Sequence, residues 1–152
     1  MSFFHYEALA DFGLIQEILN DILLNYGDFI EKGATTCWET YDQSYKYPGS
    51  LYPSRSHCHA WSAGPVYFIG RYLLGVNLDN EYKDNITISP TPCGLKFMKG
   101  RVPLYKGGAI DIRIDNSQQE KNINIYVKAP SYLDISVNLP DGYAGSYNIE
   151  RY

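Results

Sequence analysis

Residues 15–26 read IQEILNDILLNY, with apolar side chains at steps of three and four residues. This spacing predicts an amphipathic helix that passes Gly27 and takes one further turn before Gly33. Upstream, residues 3–12 show the same periodicity and stop at Gly13. We therefore expect two helices joined by a tight turn.

A third helical pattern begins near His59 and ends at Gly75, a residue type that commonly follows the last turn of a helix. Gly64 and Pro65 are expected to bend this helix or delay its first turn.

After Val76 the spacing of apolar residues changes from helical to alternating. Apolar and polar residues then alternate in three segments, which predicts strands over residues 86–88, 108–114 and 122–127.

Turn-forming residues recur about every ten positions in the second half, a spacing typical of an antiparallel β-sandwich. The sequence thus predicts an α+β fold with a helical part over residues 1–78 and a small antiparallel β-sandwich over residues 79–152. Helices this apolar need a partner layer, and Met1 leads directly into a helical pattern with Ser2 as its one capping residue. We therefore expect either that these helices pack on the sheet or that a partner layer is missing, and the chain looks as if it starts in the middle of a domain.

Composition narrows the class of partner. The chain has 152 residues, 45% of them hydrophobic, and a net charge of -4, so it offers no basic surface for nucleic acid. No apolar stretch is long enough to span a bilayer, so we expect no membrane partner. No signal peptide is recognised, which favours the cytoplasm without deciding the compartment. Aromatic residues make up 15%, as expected where sugars or other flat ligands stack.

Three cysteines, an odd number at wide spacing, indicate neither a disulfide framework nor a zinc site. A metal site built from His57, His59 and Glu39 has no supporting ligand pattern. We expect no metal and no cofactor.

Two segments hold the candidate chemistry: residues 33–41, GATTCWETY, and residues 54–65, SRSHCHAWSAGP. In the first, Glu39 follows Trp38, so a carboxylate stands beside an aromatic wall after a run of small residues. In the second, His59 opens the next helix and could converge with Glu39. Taken alone, these residues more often have structural roles: Glu39 as a carboxylate at a helix N-terminus or a surface charge, His59 as a structural histidine and Trp38 as a core residue.

Other residues of these segments have less specific expectations. We expect His57 to be solvated or to cap a turn, and Trp61 to serve in packing. The tyrosine-rich loop over residues 41–56 could rim a sugar cleft or be a plain surface connection.

These segments, followed by YFIGRYLLGV at residues 67–76, resemble the end of the catalytic (α/α)6 barrel of bacterial α-L-rhamnosidases, glycoside hydrolase family 78. The opening FFHYEALADFG resembles the preceding barrel helix, and residues 86–152 resemble the family's C-terminal β-sandwich. The resemblance therefore covers nearly the whole chain.

The resemblance implies an inverting hydrolase that releases terminal L-rhamnose from rhamnosyl glycosides. Glu39 falls on the general base, His59 on a histidine that binds sugar hydroxyls, and Trp38 on the tryptophan beside the base. Cys58 and Tyr41 depart from the usual pattern, in which asparagine and tryptophan are frequent. The general acid and most of the barrel lie upstream of this chain.

Three functional hypotheses follow. The first is a C-terminal part of an α-L-rhamnosidase that is inactive alone. The second is a non-catalytic carbohydrate-binding module. The third is a split-enzyme partner, whose apolar helix faces pair with the missing N-terminal part of the barrel or with a second copy.

Overall fold

The structure is a computed structural model that describes residues 2–40, 56–117 and 119–152. The chain divides into two compact units, Met1–Tyr67 and Phe68–Tyr152. The domain boundary predicted after residue 78 lies further along the chain and stays a prediction. Among the described helices, none combines the length and the apolar character needed to cross a bilayer.

The first unit is helical, with α1 over Ser2–Asp11 and α2 over Ile15–Glu31. Gly13, with a φ of +71°, makes the turn between them, because a residue without Cβ adopts this left-handed conformation without strain. Gly33, with a φ of +78°, closes α2, and the Ala34 N–H donates to the Phe29 carbonyl at 2.9 Å. Both helices therefore end where the glycines predict.

One stripe of α1 and α2 forms the core of this unit. Its buried members are Tyr6, Ile15, Ile18, Leu19, Ile22 and Phe29. The hydroxyl of Tyr6, which has no exposed surface, donates to the Asp21 carboxylate and so joins the two helices. Asn25 donates to the other oxygen of that carboxylate at 2.9 Å.

The helical unit also exposes large apolar side chains. They are Phe4, Phe12, Leu23, Leu24, Ile30, Trp61 and Val66, each more than half exposed. A soluble protein rarely leaves so many large apolar groups uncovered on a single unit.

The predicted third helix is irregular. It starts as a 3-10 turn over Ala60–Ala63, continues as α3 over Gly64–Phe68 and ends as a π-helical turn over Ile69–Leu73. Pro65 lies at the start of α3, where its missing N–H removes no helical hydrogen bond. Gly75 follows with a φ of +74°, in agreement with its predicted role as a terminator.

In its described residues, the second unit contains seven strands in two sheets. They are β1 (Val76–Asn77), β2 (Asn85–Ile88), β3 (Phe97–Pro103), β4 (Ala109–Ser117), β5 (Asn122–Ala129), β6 (Asp134–Val137) and β7 (Ala144–Arg151). One sheet has the order β1-β2-β6 and the other the order β3-β4-β5-β7. With the helical first unit, this confirms the α+β fold class.

Burial alternates along the central strands of the four-stranded sheet. On β4, Ile110, Ile112 and Ile114 are buried while the residues between them are more exposed. On β5 the alternation continues through Ile123, Ile125 and Val127. The alternation of apolar and polar residues in the sequence therefore corresponds to one buried face of this sheet, as expected for a layered β fold.

Strand direction differs from the antiparallel expectation in two places. β2 pairs with β6 in parallel, and β5 pairs with β7 in parallel. After β5 the chain passes through β6, which belongs to the other sheet, and then returns to lie beside β5 in the same direction. Alternation in the sequence reports which face is buried and carries no information about direction.

Gly75→Ala is expected to destabilise the second unit more than Gly142→Ala. At both positions φ is near +75°, so alanine adds about 1–2 kcal/mol of backbone strain. A Cβ at Gly75 would also overlap the Ser89 carbonyl carbon, whereas at Gly142 it meets nothing within 4 Å. Denaturant unfolding followed by far-UV circular dichroism measures the difference, and equal losses would contradict the steric contribution.

Candidate functional site

Two segments of the first unit pair through their backbones at the predicted site. The His59 N–H donates to the Cys37 carbonyl and the Glu39 N–H donates to the Ser56 carbonyl, each at 2.9 Å. The Thr36 hydroxyl also donates to the His57 carbonyl. Residues 36–39 therefore run alongside residues 56–59, and Trp38, Glu39 and His59 belong to one small region.

Trp38 contacts two other rings. Its ring stacks on the His57 imidazole with centroids 4.5 Å apart and planes 18° apart. The Phe29 ring, at the end of α2, lies 5.1 Å from it. The indole is half-buried, so α2 and His57 fix its position beside Glu39.

The Glu39 carboxylate is half-buried and, within the described residues, makes no hydrogen bond or ion pair. Its backbone N–H is used in the pairing with Ser56, so the main chain is fixed while the carboxylate oxygens remain available. A carboxylate in this state can accept a proton from a bound water or a hydrogen bond from a ligand hydroxyl.

His59 lies at the start of the 3-10 turn and is half-buried. Its ring meets the Trp61 ring edge-on at 6.3 Å. Trp61 does not pack as expected, because 79% of its surface is exposed. It lines an apolar cavity of about 430 Å³ together with Phe3, Phe4, Ala60, Ala63 and Gly64.

The stack of His57 on Trp38 was not expected from the sequence. The available signal was the aromatic character of both residues, but their contact depends on the pairing of two segments separated by the tyrosine-rich loop. Residues 41–55 of that loop lie outside the described part of the chain, so its role at a cleft rim stays a prediction.

Each of the three cysteines lies in the described part of the chain. Cys58 is exposed, Cys37 and Cys93 are half-buried, and all three are free thiols. Burial raises the pKa of the Cys93 thiol above its usual value. Across the described ranges, no three histidine, cysteine, aspartate or glutamate side chains come together in a metal-binding group.

Comparison with known proteins places both paired segments inside one family. Residues 13–73 match the family described as bacterial alpha-L-rhamnosidase 6 hairpin glycosidase domain. The whole chain superimposes on part of the GH78 family rhamnosidase of Bacillus sp. GL1, with 38% sequence identity and a TM-score of 0.89. The chain belongs to glycoside hydrolase family 78. This confirms the resemblance expected from the sequence.

The α-L-rhamnosidase from Dictyoglumus thermophilum contains a section with a similar fold. It superimposes on 91% of this chain with a TM-score of 0.69 and a sequence identity of 22%. A search of curated proteins found no match. This family 78 chain spans 16% of the Bacillus protein and 15% of the Dictyoglumus protein. It therefore corresponds to a limited section of a rhamnosidase, as predicted.

His57→Ala in this family 78 chain is expected to lower the free energy of unfolding of the first unit by about 0.5–1.5 kcal/mol, because an aromatic stack is lost. Trp38 and Trp61 are the chain's two tryptophans, so tryptophan fluorescence reports on this unit alone. Cys58→Ala, at the exposed neighbouring position, is the control and should change little. Equal unfolding midpoints for His57→Ala and the parent chain would contradict a stabilising stack.

Proposed function

We propose that this chain supplies the general base of an inverting α-L-rhamnosidase. Glu39 removes a proton from the water that attacks the anomeric carbon of a terminal L-rhamnose. A carboxylic acid outside this chain protonates the departing glycosidic oxygen. The two carboxyl groups of an inverting enzyme stand about 6.5–9.5 Å apart, which leaves room for that water.

The observation that carries this proposal is the backbone pairing of residues 36–39 with residues 56–59. It brings Glu39 and His59 into one region, where the Glu39 carboxylate has no partner among the described residues and the neighbouring indole stacks on His57. We assign His59 to hydrogen bonds with sugar hydroxyls and Trp38 to the wall of the sugar site. An imidazole can donate or accept such bonds, and an aromatic face suits the apolar side of a pyranose.

The domain assignment is part of the same proposal. Residues 1–78 form the end of an (α/α)6 barrel, and residues 79–152 form a C-terminal β-sandwich domain. The exposed apolar residues of the first unit, including Phe4, Leu24 and Trp61, support a covering layer supplied by the rest of the barrel. That remaining part of the barrel is the proposed partner.

The isolated chain is expected to be inactive, because both the general acid and most of the sugar-binding surface belong to the rest of the barrel. Purified chain should release no nitrophenol from an aryl α-L-rhamnoside. Clear turnover that Glu39→Gln abolishes would overturn the inactivity and would keep the base assignment. Turnover that survives Glu39→Gln would overturn the base assignment as well.

A split-enzyme arrangement is the second candidate, and the exposed apolar side chains favour it. The chain alone should then self-associate in analytical ultracentrifugation, and adding the preceding barrel section of the Bacillus sp. GL1 rhamnosidase should disperse it into a one-to-one complex. A chain that stays monomeric and does not bind this section would contradict the arrangement. Saturable binding of L-rhamnose by the chain alone, without hydrolysis, would instead favour a carbohydrate-binding module.

A further inference from the structure

The outer face of the four-stranded sheet in the second unit carries ordered rows of polar side chains. Strand register places the more exposed residues of neighbouring strands side by side. One row consists of Arg101, Asp111, Lys128 and Glu150, and the next consists of Lys99, Arg113, Tyr126 and Asn148. The two rows are adjacent rungs of the same face.

The first row is neutralised within itself. Arg101 lies 3.4 Å from the Asp111 carboxylate, and Lys128 lies 2.5 Å from the Glu150 carboxylate. Opposite charges directly across neighbouring strands hold these side chains in a fixed line. This row therefore carries no net charge.

The second row has excess positive charge beside an aromatic ring. Arg113 uses Nε and Nη2 for the Asp115 carboxylate, which leaves Nη1 without a bond in the described residues. Lys99, its cross-strand neighbour, has no hydrogen bond or ion pair there. Of the two cations on this rung, Arg113 is paired with one carboxylate, whereas Lys99 is paired with none among the described residues.

Tyr126 lies next to Arg113 on the same rung and is 48% exposed. The guanidinium of Arg113 stands 5.9 Å from its ring centroid and 5.4 Å from the Phe97 centroid, so the cation is held between two aromatic rings. On the other side of Tyr126, Asn148 offers an amide donor and acceptor.

A shallow cavity of about 230 Å³ lies between the two rows. Its lining includes Lys99, Arg113, Tyr126, Lys128, Asn148 and Glu150. This volume is below the range of sites for drug-sized ligands and suits a single ring. A pyranose that carries a carboxylate is complementary to this lining. Its ring can lie on an aromatic face, its carboxylate can accept hydrogen bonds from two cationic side chains, and its hydroxyls can bond to an amide.

We propose that this face is a second carbohydrate-binding site, selective for a hexuronate residue. The sugar ring lies on Tyr126, its carboxylate bonds to Lys99 and to Nη1 of Arg113, and its hydroxyls bond to Asn148. The site is in the second unit, so it does not depend on the role proposed for Glu39.

The test is titration of the full chain with methyl β-D-glucuronide and with methyl β-D-glucoside at matched ionic strength, followed by NMR or calorimetry. The glucuronide should bind saturably and the glucoside at least about tenfold more weakly, since a charge-assisted hydrogen bond is worth about this much. Equal affinities, or no saturable binding of the glucuronide, would overturn the proposal. Displacement of the glucuronide by equimolar acetate would also overturn it, because the site would then recognise any carboxylate.

Two variants locate the site. Lys99→Gln should weaken glucuronide binding about tenfold, and Tyr126→Ala should weaken both glycosides. Tyr105→Ala is the matched control, because this residue is 96% exposed and lies outside the face. Lys99 is itself exposed, so its replacement tests the charge without disturbing the core. Unchanged affinity in Lys99→Gln would place the ligand elsewhere.

Discussion

A hybrid rhamnosidase carrying Glu39→Gln is expected to hydrolyse an aryl α-L-rhamnoside about 10²–10⁴-fold more slowly than the hybrid with Glu39, because a positioned general base contributes this much. In the hybrid, this chain replaces the corresponding section of the Bacillus sp. GL1 rhamnosidase, to which it is 38% identical. Glutamine keeps the size of the side chain but has no carboxylate that can accept the proton of the attacking water.

Glu31→Gln is the matched control for this experiment. Glu31 is exposed at the end of α2, and within the described residues its carboxylate has no partner. The same change of charge there should leave kcat within about twofold, since exposed sites away from the reacting atoms have small effects. A Glu39→Gln hybrid with the rate of the control would refute the assignment of the base, whatever the isolated chain does.

Ile125→Ala is expected to destabilise the second unit by about 2–5 kcal/mol. Ile125 has no exposed surface, and it sits on β5, opposite Ile114 of β4 and Tyr147 of β7. Removing its side chain leaves a cavity that fixed strands on both sides cannot fill. Urea unfolding followed by far-UV circular dichroism measures the loss, while the tryptophan signal of the first unit provides an internal comparison.

Ile125→Val is a smaller substitution at the same position. It removes a single methylene and should lower the free energy of unfolding by about 0.5–1.5 kcal/mol. A loss below 1 kcal/mol for the alanine variant would mean that neighbouring side chains move into the space, so that the sheet interior is less tightly packed than its burial indicates.

The helices could be predicted from the sequence because local features define them. Gly13 and Gly33 end α1 and α2 through their own backbone preferences, and the apolar stripe between them has helical spacing. The strands β4 and β5 were likewise marked by alternation. In contrast, β7 is exposed along almost its whole length and has no such pattern, so only pairing with β5 defines it.

At the candidate site, the sequence indicated candidate residues, whose roles stay predictions, but not the contacts between them. A family resemblance points to Trp38, Glu39 and His59, whereas the stack of His57 on Trp38 depends on pairing across a long loop. The exposure of Trp61 was also missed, because an aromatic residue at helical spacing is usually buried.

The parallel pairing of β2 with β6 has a consequence for folding kinetics. The Thr87 and Ser136 side chains that meet across this pair are 49 residues apart in sequence. Closing so long a loop loses chain entropy before any contact compensates for it, whereas β3, β4 and β5 follow one another through short connections. The antiparallel hairpins should therefore form early, and the three-stranded sheet should join after the rate-limiting barrier. Substitutions in β6 would then accelerate unfolding and leave the refolding rate almost unchanged.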